Sequence, residues 1–358
     1  MPTLIPLLQE QLARKLPFVA YRKPGEELLT ALLQEDRKIH YVQDYKESGF
    51  VFAPFNQTLP KILLPPDRDY MMRYPAEPEM IVAGRQAPEE SGTEHNNYLR
   101  LVSEARNFIT KGGCLKVVVS RKAEVRAGNS PLNAFESLLK MYPTAFCYLW
   151  YHPKFGTWCG ASPEMLLKLE GGIFSTVSLA GSMAYSGNPD PQWGQKELEE
   201  QALVTLFIKD TLKPNVASLH IADPVTVRAG EILHLQSRIS GEAGGCGLAA
   251  LIGSLHPTPA VCGLPRHAAM DFIKSNEGYD RAFYTGFLGE INMPGGPAGA
   301  GGEQANLYVN LRCMSFSGKK ACIYVGGGIT QASAPEAEWQ ETQYKTGTML
   351  RALFNSAE

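Results

Sequence analysis

The polarity pattern divides the chain into short β-like runs with helical segments set between them. Residues 1–75 open on a helix-like stretch, LIPLLQEQLARKL, followed by the strand-like runs FVAYR, HYVQDY and GFVFAPF. From Pro75 to Asn97 the composition turns to Pro, Glu, Gly and Asn, which predicts an exposed connection and a boundary near residue 95. An amphipathic helix follows, with Tyr98, Leu101, Ala105, Phe108 and Ile109 on one face and Gly112–Gly113 as its stop. LKVVVSRKAEV, rich in β-branched residues, predicts a strand. AFCYLWYH, TWCGASPEMLLKLE and IFSTVSLAG are short runs parted by the turn-forming HPKFG and EGG, the pattern of antiparallel hairpins. A helix over 195–212 interrupts them. At ~100° per residue, Leu203, Leu206 and Phe207 would form its apolar stripe.

Beyond that helix, VTVRAGEILHLQSRISGE reads as a strand pair and HAAMDFIKSN as a helix. FYTGFLGEINM reads as a strand entering a Gly/Pro-rich loop, MPGGPAGAGGEQAN, expected to be solvated and mobile. ANLYVNLRCMSFSGKKACIYVGGG reads as a hairpin turning at Ser317–Gly318, and Pro335 opens a final helix. Strands in runs with helices inserted predict an α+β fold of large, mostly antiparallel β-sheets flanked by helices, with residues 1–95 packed on the same core as 96–358.

Composition narrows the function. With 44% hydrophobic residues, and 34 Lys+Arg against 36 Asp+Glu, the chain has ample core material and no charge excess. Disorder and nucleic-acid binding are not expected. The apolar stretches Phe146–Trp150 and Ala249–Leu255 fall far short of the ~18–20 residues of a membrane span. The N-terminal apolar stretch meets Gln9, Glu10 and Gln11 before any cleavage site, so a soluble, cytoplasmic protein without a signal peptide is expected. Seven scattered cysteines, with no CxxC pair, read as reduced structural thiols. HExxH and P-loop patterns are missing, and Gly326-Gly327-Gly328 lacks the spacing of a dinucleotide fingerprint.

Carboxylates carry the strongest local signal. Glu200 projects within the apolar sector of its helix, one turn before Leu203, and Glu197 lies one turn further back. The final helix repeats the ExxE spacing with Glu338 and Glu341, followed by Lys345. Brought together, two such pairs would form the all-oxygen cage that a hard cation such as Mg²⁺ prefers. The plainer alternative is a set of surface acids, with Glu341–Lys345 an ordinary i,i+4 pair facing away from Trp339, Leu350 and Leu353. The Gly triplet, read as ending a strand before a helix, offers amides to an anion or simply a tight connection. Lys116 begins a strand, as an edge residue or as a catalyst. Glu164 follows Pro163 inside an apolar hairpin, where burial would raise its pKa and suit a general acid.

KVVVSR, GASPEMLLKLEGG, SLAGS, LHPTPAVCGLPR, LYVNLRC and GGGITQASAPEAEWQETQYK occur in one order along residues 96–355. That series closely resembles the chorismate-utilising enzymes, and within them the isochorismate synthases. The resemblance implies a chorismate-binding catalytic region over 96–358, in which water displaces the C4 hydroxyl from C2 with Mg²⁺ on the ring carboxylate. It implies that Lys116 is the general base and Glu164 the general acid. Glu200 and Glu341 would be direct metal ligands, with Glu197 and Glu338 holding the metal's waters. Arg312 and Lys345 would receive carboxylates, and Gly181, Ser182, His234, Gly326, Gly327 and Gly328 would complete the pocket wall. Gln201 departs from the family, where His is usual, which implies a local change beside the metal. Ala180 stands where one aminating branch carries a nucleophilic lysine, and Lys116 where anthranilate synthases usually carry Gln. Neither ammonia nor a glutaminase subunit is therefore implied. Salicylate synthase, which shares the lysine and then eliminates pyruvate, stays as the first alternative, with a glutamine- or ammonia-dependent aminating subunit and a catalytically silent chorismate-binding relative as the others. Both menaquinone and siderophore pathways fit.

Overall fold

Two antiparallel sheets pack against each other through an aromatic layer. The computed structural model describes residues 4–75, 92–229, 232–294 and 302–354. Among these residues one sheet has nine strands in the order Gly263–Leu264, Lys116–Arg126, Lys320–Ile329, Cys313–Ser317, Gly156–Ser162, Phe146–His152, Phe18–Arg22, Leu28–Leu33 and Arg68–Arg73. The other runs His220–Ile221, Ile232–Glu242, Ile173–Ala184, Met165–Glu170, Ala305–Val309, Phe287–Ile291, Gly49–Ala53, Ile62–Leu64 and His40–Tyr41, with Val225–Ala229 also pairing on Ile232–Glu242. Residues before 95 thus supply strands to both sheets. Between the sheets Phe52 stacks on Phe283 at 4.2 Å and meets Trp150 edge-on at 4.9 Å, while Phe146 stacks on Tyr308 at 4.2 Å. Truncating one such ring to Ala costs about 3–5 kcal/mol.

Helices cover the outer faces. Leu4–Arg14, Pro131–Met141 and Pro335–Phe354 bury their apolar faces on the nine-stranded sheet, and Gln195–Leu212 and Leu248–Leu255 theirs on the other. Gly92–Thr110 and Arg266–Asn276 pack beside the start of the Lys116 strand. No helix among the described residues is long and apolar enough to cross a membrane. All seven cysteines are unpaired thiols, as their scatter predicts.

Several local readings need correction. The helix Gln195–Leu212 buries Gln201, Val204, Ile208 and Leu212, whereas Leu206 is 51% exposed. The stripe is displaced because Gln201 finds polar partners in the sheet: its amide nitrogen donates to Ser178 O at 3.1 Å, Ser178 Oγ at 3.0 Å and Ser237 Oγ at 3.3 Å. The helix expected from about Tyr98 begins at Gly92, inside the stretch read as a connection, whose residues 76–91 lie outside those described. Most of the expected mobile loop, residues 295–301, lies outside them too. Pro131–Met141 is a helix that the strand pattern overshadowed. Its signals are local: Ser130 Oγ accepts from Asn133 N–H at 3.2 Å, Pro131 opens it, and Leu132, Phe135, Leu138 and Leu139 share its buried face.

The segment read as one hairpin over 305–328 divides between the sheets. Only Cys313–Ser317 and Lys320–Ile329 pair as a hairpin, while Ala305–Val309 belongs to the opposite sheet. The chain therefore crosses between sheets at Asn310–Arg312, and in the other direction at Pro163–Glu164. The crossings are tied side by side. Ser162 Oγ donates to Val309 O at 2.5 Å, Val309 N–H to Glu164 O at 3.0 Å, and Ala161 N–H to Arg312 O at 3.0 Å.

Candidate active site

A cleft opens beside these two crossings, with about 900 Å³ of empty space including its mouth. Its floor is the pairing of Lys116–Arg126 with Lys320–Ile329, in which Gly326, Gly327 and Gly328 face Ser120, Val119 and Val118. The Gly triplet is thus inside a strand, and the expected junction with a helix N-terminus is not formed. Ser120 N–H goes to Glu277 Oε1 and Val118 N–H to Cys262 O, both away from the glycines. By the alternation of an antiparallel ladder, Gly326 and Gly328 turn their own backbone groups to the open edge. Gly326 O there accepts from Lys345 Nζ at 3.0 Å.

Lys116 is 1% exposed, a buried amine on the cleft wall rather than a solvated strand edge. A Cβ on Gly328 would stand 2.7 Å from both Lys116 Cε and Glu200 Oε1, so glycine leaves the space in which those side chains meet. Lys116 Nζ donates to Glu200 Oε1 at 2.5 Å.

The two ExxE pairs converge from the helices Gln195–Leu212 and Pro335–Phe354. Glu197, Glu200 and Glu341 line the cleft, and Glu338 lies 2% exposed beneath Gly327, where a Cβ would come 3.1 Å from its Oε2. Lys345 Nζ meets Glu341 Oε1 at 2.6 Å, and Lys196 Nζ meets Glu338 Oε1 at 3.3 Å. Burial, then the neighbouring Glu341, pushes the Glu338 carboxyl up. Burial pushes Glu341 the same way, but Lys345 and then Lys196 outweigh it and hold it below the usual range. Among the described residues no three acidic, imidazole or thiol side chains converge closely enough to ligate one ion, since Glu200, Glu338 and Glu341 each turn to a lysine. The donor set nevertheless suits a hard cation: it is all oxygen, and buried Glu338 Oε2 has no hydrogen-bond partner.

The opposite wall carries Glu164, His234 and Arg312. Glu164 sits in the crossing after Ser162, 3% exposed, and burial lifts its pKa to about 8 despite the nearby Lys116 charge. It therefore holds a proton at neutral pH. Burial, then Arg312 and Lys345, pushes His234 down to about 3, so its ring is neutral. His234 Nδ1 lies 3.0 Å from Gly181 O and 3.3 Å from Ser182 Oγ. Facing a carbonyl, Nδ1 must carry the hydrogen, which leaves the partnerless Nε2 as an acceptor. Gly181 is a bulge at φ 71°, and a Cβ there would stand 3.1 Å from Glu197 Cβ, so it also lets the Glu197 helix approach. Arg312, at φ 47°, is half-buried on the cleft wall and donates to Thr348 Oγ1 at 3.3 Å.

The catalytic, metal and substrate-binding residues expected from sequence thus all lie in or directly beneath this cleft. Sequence reasoning missed Lys196 and Tyr284, which line it. Lys196 had a readable signal, a cation one turn before Glu200. It also missed the frame behind the floor. Arg281 pairs with Glu277, donates to Val118 O at 2.7 Å and Val261 O at 3.0 Å, and so braces the Lys116 strand. Gln201, expected to mark a local change beside the metal, turns its amide nitrogen to Ser178 and Ser237 in the sheet.

The sequence model of the chorismate binding enzymes matches residues 68–354. The chain is 32% identical over 297 residues to the salicylate biosynthesis isochorismate synthase of Pseudomonas aeruginosa, a match taking in 79% of this chain and 60% of that protein. It is 29% identical over 293 residues to the isochorismate synthase EntC of Escherichia coli, covering 78% of this chain and 72% of that one. The structure of MenF, the menaquinone-specific isochorismate synthase of Escherichia coli, superposes with a TM-score of 0.78 at 20% identity, over 94% of this chain and 88% of MenF, a likeness of fold. The chain belongs to the chorismate binding enzyme family.

Proposed function

We propose that this protein is an isochorismate synthase, which interconverts chorismate and isochorismate with Mg²⁺. One observation carries the reading: a buried amine, Lys116, and a buried carboxyl that keeps its proton at neutral pH, Glu164, face one cleft. An exchange of hydroxyl groups between ring carbons requires that pair. Water must lose a proton as its oxygen bonds to C2, and the C4 oxygen must gain one as its bond to carbon breaks, because hydroxide is a poor leaving group. Lys116 takes the first proton and Glu164 supplies the second. One water enters, one leaves, and no electrons are exchanged with a cofactor. Afterwards the ammonium of Lys116 and the carboxylate of Glu164 must exchange a proton before the next turnover. Lys116 becomes a base only after surrendering the proton it shares with Glu200, which must then be balanced by another positive charge.

The remaining residues bind and orient. Lys196, Lys345 and Arg312 offset all but one of the charges of Glu197, Glu200, Glu338 and Glu341 once Lys116 serves as the base, and a dicarboxylate entering with a divalent cation leaves that balance unchanged. Arg312 offers a planar fork to one substrate carboxylate and Lys345 a point charge to another. His234 Nε2, buried without a partner, would accept from a substrate hydroxyl. Bound by Glu200 and Glu341, with Glu197 and Glu338 holding its waters, Mg²⁺ would neutralise and orient the ring carboxylate. Ala180, which lines the same wall, brings no amine that could attack the ring.

Chorismate incubated with the protein and Mg²⁺, without glutamine or ammonium, should yield a chorismate–isochorismate mixture by chromatography. Salicylate with stoichiometric pyruvate would instead make it a salicylate synthase. Turnover only with ammonium or a glutaminase would make it an aminating subunit.

A further inference from the structure

Glu338 is 2% exposed, its Oε1 is held by Lys196, its Oε2 has no partner within hydrogen-bond distance, and, besides the lysine, the Ser333 hydroxyl favours its charge. A carboxylate so buried beside Glu341 is short of positive charge, and the group that supplies it comes from the opposite helix. The side chain of Lys196 is 39% exposed, on a flexible four-carbon stem, whereas that of Glu338 is 3% exposed and fixed. Burial works against the charge on Lys196, but Glu338 first, then Glu200 and Glu341, more than restore it. Lys196 therefore sits in the field of three of the four cage carboxylates and has an open route to solvent. The other two lysines do not share that freedom: Lys116 is buried, and Lys345 is also tied to Gly326 O.

We propose that Lys196 is a displaceable internal counterion: it occupies the acidic cage while no cation is bound, joins the two ExxE helices through Glu338, and competes with a divalent cation for the same carboxylates. The inference rests on the reading of the four glutamates as a cation cage, and it assigns Lys196 a role distinct from substrate binding. Two effects follow. Removing the lysine takes away a competing charge, so the divalent cation binds more tightly. It also leaves Glu338 buried with neither oxygen paired to a cation, so the cation-free protein loses stability that the cation restores.

The test is titration of the full-length protein with Mn²⁺, without substrate, following free Mn²⁺ by electron paramagnetic resonance. Wild type, Lys196→Gln and Lys209→Gln are compared, the last being an exposed lysine near the far end of the same helix. Lys196→Gln should bind Mn²⁺ about five-fold more tightly, the weight of a partly exposed ion pair, with Lys209→Gln unchanged. Thermal melts should show Lys196→Gln below wild type without Mn²⁺ and level with it at saturation. Saturable binding of equal or weaker affinity in Lys196→Gln would overturn the counterion role and leave the cage standing. No saturable binding in wild type or variant would overturn the cage and the counterion together. Binding in the variant alone would be the strongest form of the expected result.

Discussion

Lys116 Nζ and Glu200 Oε1 meet at 2.5 Å in the space that Gly328 leaves by having no side chain. One residue comes from the floor strand and the other from the helix Gln195–Leu212, so the contact joins the proposed base to the proposed metal cage. Gly328→Ala would put a methyl group 2.7 Å from both side chains. The strand should persist, because alanine fits its backbone, but the pair must part. Circular dichroism should be unchanged while kcat falls at least ten-fold; wild-type kcat would show that the contact is dispensable.

Loss of the base should be felt equally in both directions. Lys116→Ala should lower kcat by about 10²–10⁴. Since the equilibrium between chorismate and isochorismate is fixed, kcat/KM must fall by one factor for the forward and reverse reactions. Near-wild-type turnover in a folded variant would return Lys116 to a structural role.

Glu164 makes a prediction about pH. The folded chain holds its proton up to about pH 8, whereas an ordinary carboxyl ionises near 4.5. Between those values the native state binds the extra proton, so stability must fall as pH rises through the window and level off above it. At about 1.36 kcal/mol per unit the penalty approaches about 5 kcal/mol. Glu164→Gln should therefore melt above wild type at pH 8, with the difference vanishing toward pH 4.5. The same variant should lose about 10²–10⁴ in kcat, and wild-type turnover should decline above pH 8 as the acid ionises. Identical melting curves across pH would contradict the buried, protonated state.

Arg312 should behave differently from the acid and the base. Arg312→Ala removes a charge-assisted contact to a substrate carboxylate that ground and transition states share, so the loss should appear chiefly in KM. A fall in kcat with KM unchanged would place Arg312 in the chemistry instead.

How much of this was legible depended on range. The bounds of Gln195–Leu212 and the start of Pro335–Phe354 are written locally and read correctly. The buried face of the first was not, because Gln201 looks polar in sequence and only the distant Ser178 and Ser237 make its burial favourable. Glu164 and Arg312 were found as residues, but that both occupy crossings between sheets depends on strand partners far apart in sequence, which periodicity does not encode. The ExxE spacing suggested the cage. The Glu341–Lys345 pair was legible in its i,i+4 spacing, but that Lys116 holds Glu200 and Lys196 holds Glu338 required the fold.

The most direct measurement is turnover of chorismate by the wild-type protein with Mg²⁺, in water labelled with heavy oxygen and without glutamine or ammonium. Isochorismate carrying one heavy oxygen at C2, with no pyruvate released, is the expected product. Salicylate with stoichiometric pyruvate, unlabelled isochorismate, or no turnover by the folded protein would contradict water addition by Lys116 and Glu164.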